Sequence, residues 1–403
     1  MSPRQAVIIG AGVAGLSAAW WLHRIGWRVV VVERASHLRD AGYMMGLSGP
    51  GLQTAGDMGL RPRLETMARA IDENVYRDRN GREILRLRFR DFLRDLPYIA
   101  LRRTDLVQAL HDAVTSSVEL KLGTTVSEIS NGPHRAVARL SDGAEIDADI
   151  VVAADGFRSQ HRRGLFGHDE QFLKPLGYRF ATYELEDTLG LGTDFLSYAE
   201  PGRLTEYYTL ADGRLAALHV WRSRTNGAVA PQQRWDTVAE AMSGSHPHVT
   251  DMIEATRRTT APIVDDLTVV DMPAWSRDRV LLLGDAAHCL TLISGQGAGI
   301  SMASAKILAE ELSRGTVEAA FAAHRHRLRP AVERLQQHSR KMATWFIPEG
   351  KFAFGLRNFW LKHLPRRILG RYFLNSIRSE LIATQSLSPG ATDSSTTIRA
   401  GAA

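Results

Sequence analysis

Apolar and polar positions along the chain follow two rhythms. Residues 6–9 form an unbroken apolar run that ends at glycine, as in a strand buried on both faces of a parallel sheet. Residues 16–24 carry apolar side chains on a helical period, and Gly26 ends the segment. Residues 28–32 are a second apolar run, closed by Glu33. Strand, helix and strand together make one βαβ unit of about thirty residues.

The pattern continues less regularly. Residues 42–60 read as a Gly- and Met-rich loop, then a short helix from about Gly51. Residues 75–87 hold Asn80-Gly81 between extended arms, a hairpin signal. Residues 98–101 read as a strand and 104–114 as a helix with Thr104 as N-cap. Residues 134–154 form a meander around Asp142-Gly143, and its last run, 151–154, ends at Asp155-Gly156. From 178 to 221 short extended segments alternate with turns, Asp212-Gly213 among them, predicting a second, antiparallel sheet. Helical patterns follow near 232–243 and 248–258. Residues 280–283 are another buried strand, running into Gly284-Asp285. Residues 299–312 read as an amphipathic helix, 317–346 as a longer one containing Pro330, and 350–380 as C-terminal helix. Residues 386–403 are small and polar, a disordered composition. No internal repeat is visible.

The fold class that follows is α/β. A discontinuous Rossmann-like nucleotide-binding domain takes residues 1–74, 98–176 and 262–345. A substrate-binding sheet domain, 75–97 and 177–261, is inserted into it, with a C-terminal helical region at 346–385 and the tail at 386–403.

Composition removes several classes. The 403 residues are 44% hydrophobic and 23% charged, enough for a large core without staples. Cys289 is the one cysteine, which excludes a disulfide framework or a multi-Cys metal site and suits a reducing cytoplasm. The net charge of +6 comes almost wholly from arginine, without the dense basic run or stacking motif of a nucleic-acid binder. The 14 histidines show no metal-ligand spacing; His324 and His326, two apart, cannot share a helix face. No stretch reads as a membrane span of about 20 apolar residues. Residues 6–22 imitate a signal peptide's core, but three spaced glycines and the strand after them mark a different object.

That object is Gly10, Gly12 and Gly15 in G-x-G-x-x-G spacing. Gly10 allows the tight turn, Gly12 lets backbone approach a pyrophosphate, and Gly15 lets helix and strand pack closely. The helix N-terminus offers free N–H groups to the phosphates. Glu33 is placed to accept hydrogen bonds from a ribose diol, and Arg34 to lie along the adenine. The motif does not by itself separate NAD from FAD. Two further motifs follow. Residues 151–163 read VVAADGFRSQHRR, and residues 280–305 read VLLLGDAAHCLTLISGQGAGISMASA. In the latter, Gly284 permits a sharp exit from the strand and Asp285 can accept from a polyol. The N–H groups opening the next helix can face a ring carbonyl.

With these three motifs in order, residues 5–345 resemble the single-component (group A) flavoprotein monooxygenases of the para-hydroxybenzoate hydroxylase fold. The nearest look is to antibiotic-pathway oxygenases and tetracycline-inactivating monooxygenases. The resemblance implies non-covalent FAD, with Gly10, Gly12, Val13, Ala14 and Gly15 around its pyrophosphate and Glu33 on the adenosine ribose. Arg103, in R-x-x-L with Leu106, would approach the phosphate and ribityl side, and Val126 would meet adenine through its backbone. Asp155 would handle FAD and NAD(P)H, Asp285 the ribityl chain, and Gln296, Gly297, Ala298 and Gly299 would lie by the isoalloxazine. It also implies NAD(P)H as co-substrate, O2, a flavin C4a-hydroperoxide, and an aromatic or polyketide-like substrate. The catalytic base is not identified, and the protein would be a cytoplasmic monomer or homodimer.

Two positions depart from the family. Leu292 stands where a proline is usual in P-x-x-G-Q-G, and Gly299 where an asparagine is usual. These departures leave a non-redox, FAD-scaffolded cyclase as an alternative, with a non-enzymatic Rossmann-type binding protein as a second. A flavin-dependent halogenase needs an early-loop lysine and W-x-W-x-I-P; no lysine precedes Lys121, and that pattern is absent. His288 invites a general-base reading and Cys289 a nucleophilic one, but both read as structural. Met44, Met45 and the aromatics Trp345, Phe346, Phe352 and Phe354 read as core, or, for the last four, as a channel for a flat substrate.

Overall fold

The computed structural model describes residues 3–38, 43–89, 97–192 and 194–363. A six-stranded sheet holds the nucleotide-binding half. Its order is Ser276–Arg277, Val280–Leu282, Ile150–Ala153, Gln5–Ile9, Arg28–Glu33, Glu119–Leu122. All pairs but the Ser276–Arg277 edge are parallel. Ile8 lies between Val152 and Val31. Helices cover both faces, so the central strands are continuous Val/Ile/Leu runs with no polar alternation. Ile9, Glu33, Ala153 and Leu282 are the carboxyl ends of four of these strands. Each of the three motifs therefore leaves the sheet at the same edge, where open α/β sheets bind ligands.

A seven-stranded sheet forms the other half, in the order Ile263–Val270, Leu173–Leu185, Leu215–Arg222, Arg203–Thr209, Phe195–Glu200, Glu73–Arg77, Glu83–Arg88. The expectation of an antiparallel sheet needs one correction. Glu73–Arg77 runs parallel to Phe195–Glu200, because the early hairpin joins an edge left open by chain 120 residues later. Helices Arg234–Ala241 and Pro247–Thr256 cover one face, over Tyr183, Tyr207 and Trp221. The opposite face carries Tyr76, Phe180, Leu218 and, further along, Phe195 and Tyr208. A three-stranded sheet of Val126–Asn131, Ala136–Leu140 and Glu145–Ala148 flanks the nucleotide half.

Other readings shift. Residues 44–48 are not loop: Met44–Ser48 is a strand paired with Tyr98–Arg102, a long-range pairing that overrides the glycine in its middle. Thr104 is not a cap; the helix Arg103–Val114 begins one residue earlier, after extended Arg102. Gly297–Leu312 is not amphipathic. It is buried on nearly every side, wedged between Val13–Arg24, Gly49–Asp57 and Val317–Phe346. Pro330 lies inside Val317–Phe346, and Lys351–His363 is helical. The expected tail and the rest of the C-terminal helical region lie outside the described residues.

Candidate active site

The glycine loop is fixed by contacts no side chain would permit. Gly10 sits at φ +102°, and its N–H donates to the Val32 carbonyl at 2.8 Å. A Cβ on Gly15 would fall 1.9 Å from the Gly10 carbonyl oxygen, so helix and first strand touch through backbone. The helix Val13–Arg24 has Gly12 at its N-cap and no side-chain cap. The N–H groups of Val13, Ala14 and Gly15 therefore face out of the helix end. Arg103 lies against this end, one guanidinium nitrogen 3.9 Å from where a Gly12 Cβ would stand.

Glu33 does more than wait for a ligand. One oxygen accepts the Ala11 N–H at 2.8 Å and the other accepts the Ala35 N–H at 2.9 Å. It braces the glycine loop and still has a free lone pair on each oxygen. Arg34 beside it is exposed.

The second motif is organised by two residues that sequence reasoning passed over. His161 Nδ1 lies 2.8 Å from Asp155 Oδ2, and its Nε2 lies 3.2 Å from the Val126 carbonyl. Burial pushes the Asp155 carboxyl up, but the His161 hydrogen bond and charge more than offset this and hold it below the usual range. Asp155 Oδ1 is buried with no hydrogen-bond partner among the described residues. The Val126 carbonyl also accepts from Gln160 Nε2 at 3.0 Å, so this oxygen is already engaged by the second motif. Arg162 is fully buried and ties that motif to the third: it bonds Asp169 at 2.7 Å and the Ala286 carbonyl at 3.1 Å.

At the third motif, Gly284 has φ +62°, and a Cβ there would meet the Ala14 side chain at 2.6 Å. This contact seats Asp285 beside the glycine loop, with Gly297 across from it. Burial pushes the Asp285 carboxyl up, while Arg103 and the Cys289 thiol pull it back. Tyr43 shares the space: burial raises its phenol, Arg103 opposes, and Asp285 and Cys289 add to the rise. Its carbonyl accepts the Arg103 N–H at 3.0 Å. Gln296 donates to Ser48 at 3.2 Å and precedes Gly297 and Ala298 at the start of the buried helix. Gly51 has a packing reason: a Cβ there would lie 2.4 Å from the Gly299 Cα, whereas a Cβ on Gly299 would meet only ordinary contacts, the Gly51 Cα at 3.4 Å first. The structure thus gathers Gly10–Gly15, Glu33, Arg103, Asp155, Asp285 and Gln296–Gly299 along one sheet edge.

The loop between Asp285 and Gln296 is strained. Thr291 has φ +83°, rare for a β-branched residue, and its buried hydroxyl has no partner among the described residues. Leu292 packs against a buried apolar cluster that includes Leu204, Val220 and Leu267 of the seven-stranded sheet, the cluster that Tyr76, Phe180 and Leu218 also pack against. That contact joins the nucleotide edge to the second sheet's open face. His288 is buried against Trp275 at 5.0 Å, and burial lowers its imidazole to about 4, so it is structural. Burial pushes the Cys289 thiol far up, the reverse of an activated nucleophile. No group of three or more metal-ligating side chains occurs among the described residues, nor a helix long and apolar enough to cross a membrane.

A family model described as an FAD binding domain matches residues 4–338. The chain belongs to that family. An uncharacterized protein of Mycobacterium tuberculosis is 30% identical over 330 residues, 77% of this chain and 85% of its own. The 3-hydroxybenzoate 6-hydroxylase 1 of Aquipseudomonas alcaligenes is 28% identical over 369 residues, 87% of this chain and 92% of its own. The crystal structure of tetracycline destructase Tet(55) superposes with TM-score 0.81 at 22% identity, covering 94% of this chain and 97% of that one, and establishes the fold. The protein is a group A flavin-dependent monooxygenase, and the reading as a non-enzymatic binding protein falls. The residues fit FAD. An uncapped helix end, a carboxylate atom buried without a partner and an arginine over the glycine loop are what a dinucleotide would satisfy.

Proposed function

We propose that this monooxygenase uses NAD(P)H and O2 to oxygenate an aromatic or polyketide-like molecule in the cytoplasm. The observation that carries the reading is that Leu292 packs on the same apolar cluster of the second sheet as Tyr76, Phe180 and Leu218. An apolar surface beside the loop between Asp285 and Gln296 would suit a flat ligand. Bound FAD would supply electron transfer from NAD(P)H and activation of O2. The glycine loop with Arg103 would hold its pyrophosphate and Glu33 its ribose. Asp155 and Asp285 would hold its polar chain, and residues 296–299 would sit by the ring. The chain's own part is to orient both molecules and exclude water.

Stopped-flow reduction of the purified protein by NADH and NADPH, with and without phenolic polyketides, tests this. Reduction should be slow alone and faster with substrate, with a product heavier by one oxygen. The strained loop at Thr291 and Leu292 keeps one rival specific. If no reductant bleaches the flavin while the substrate is still converted, the FAD-scaffolded cyclase stands instead.

A further inference from the structure

Glu206 is out of place. It lies on Arg203–Thr209, directly between Ser197 and Leu218 on the neighbouring strands, and Ser197 in turn faces Tyr76. Its strand neighbours Thr205 and Tyr207 point the other way, into the cover of helices. Glu206 therefore belongs to the face that meets Leu292, set among Tyr76, Leu218, Tyr208 and Phe195. Protein surrounds it, yet part of its surface stays accessible, as for a group lining a cavity.

Its placement is built. Ser197, fully buried, reaches Glu206 Oε1 at 3.3 Å and Asn74 Oδ1 at 2.8 Å, and Asn74 also bonds the carboxylate. Phe195 stacks on Tyr208 at 5.0 Å, and the Tyr208 hydroxyl accepts the Met44 N–H at 2.7 Å, next to Tyr43 of the nucleotide cleft. A carboxylate in an apolar strip costs stability that the Ser197 and Asn74 bonds only partly offset, and a perturbed group in such a place marks a candidate functional residue.

We propose that Glu206 is the proton acceptor for the substrate's hydroxyl, and that the site selects flat phenols or enols. The proposal rests on the monooxygenase reading. The ligand's ring lies over Leu218, Phe180 and Leu292, and its O–H points at Glu206. The O–H bond breaks, its electron pair stays on oxygen, and Glu206 becomes a neutral acid. The phenolate or enolate carbon is then more electron-rich towards an electrophilic oxygen. Burial lifts the Glu206 carboxyl to about 6, opposed by the Ser197 and Asn74 bonds, which suits a base near neutral pH. The other ionisable groups facing this region are Tyr76, Tyr208 and Tyr43, all raised by burial, Glu184, and Arg357, lowered by burial to about 10.

The test uses the FAD-loaded protein and 4-nitrophenol, whose absorbance reports its own ionisation without any redox step. Bound to the wild type, the phenol should ionise at least one pH unit higher than in solution, because its anion must form beside the Glu206 carboxylate. In Glu206→Gln, which keeps the shape and the Ser197 bond, that shift should vanish while flavin content and melting temperature hold. Glu206→Asp should restore part of it. No shift in the wild type, a shift that Glu206→Gln leaves unchanged, or no 4-nitrophenol binding by the wild type overturns the proposal; if Gln folds poorly, Glu206→Ala takes its place. A shifted ionisation in the wild type with no NAD(P)H oxidation on any phenol would instead sink the monooxygenase reading and leave Glu206 as the carboxylate that faces a bound phenol.

Discussion

Glu33→Gln is the substitution whose outcome the geometry fixes most tightly. The carboxylate gives one oxygen to the Ala11 N–H and the other to the Ala35 N–H. A glutamine has one oxygen, so one N–H must face an amide NH2. Leaving that donor unsatisfied costs about 1–3 kcal/mol, and the surviving bond loses its charge assistance. If a ribose uses the remaining lone pairs, FAD affinity falls as well, by about 1–3 kcal/mol or roughly 5- to 150-fold. Two measurements separate the effects: thermal or urea unfolding of apo-protein, and fluorescence titration of apo-protein with FAD. Lower apo stability with unchanged FAD affinity would leave Glu33 as a loop brace alone. No change in either would refute the account of the glycine loop.

Gly51→Ala should lower stability by about 1–3 kcal/mol and reduce flavin content, because its Cβ meets the Gly299 backbone at 2.4 Å; urea midpoints and the flavin-to-protein absorbance ratio check this. Heat or acid precipitation should release all the flavin as free FAD, and yellow pellet would contradict non-covalent binding. Stability should fall as pH drops from 6.5 towards 4. Burial depresses His219 and His324 to about 3 and His288 to about 4, so below 6.5 the unfolded chain takes up protons that the fold refuses. Each such histidine contributes up to about 1.4 kcal/mol per pH unit, and Glu206, raised to about 6, offsets one of them between about 4.5 and 6. Equal urea midpoints at pH 7 and pH 5 would contradict this.

The readable parts of the site were those where local sequence carries the physics. Gly10, Gly12, Gly15 and Glu33 lie within one βαβ unit, and Gly284-Asp285 follows directly on a strand. What stayed hidden depends on distant partners. His161 matters because Asp155 and Val126 converge on it, and Tyr43 because Arg103 and Asp285 do. Glu206 sits in RLTEYYT, a strand buried on both faces, so no alternation reveals which side each residue takes. Met44–Ser48 shows no strand signal because a glycine sits in its centre and its partner lies more than fifty residues on.

The interleaved order of strands also sets a timetable for synthesis. Gln5–Ile9 and Arg28–Glu33 leave the ribosome early, yet Val280–Leu282, which flanks Ile150–Ala153, appears only after about 270 further residues. At roughly 5–20 residues per second that is a wait on the order of 15–50 s. For the later part of it, about 6–25 s from Ala153 to Val280, the nascent chain presents the bare edge of Ile150–Ala153, fully apolar, to anything that pairs with it. Meanwhile all seven strands of the other sheet, ending at Val270, have already emerged. Order of completion is thus reversed from order of appearance: the inserted sheet can close first, and the nucleotide fold that began the chain closes last. A chain truncated between residues 271 and 279 and released from the ribosome should hold a protease-resistant sheet domain beside an N-terminal half that chaperones still recognise.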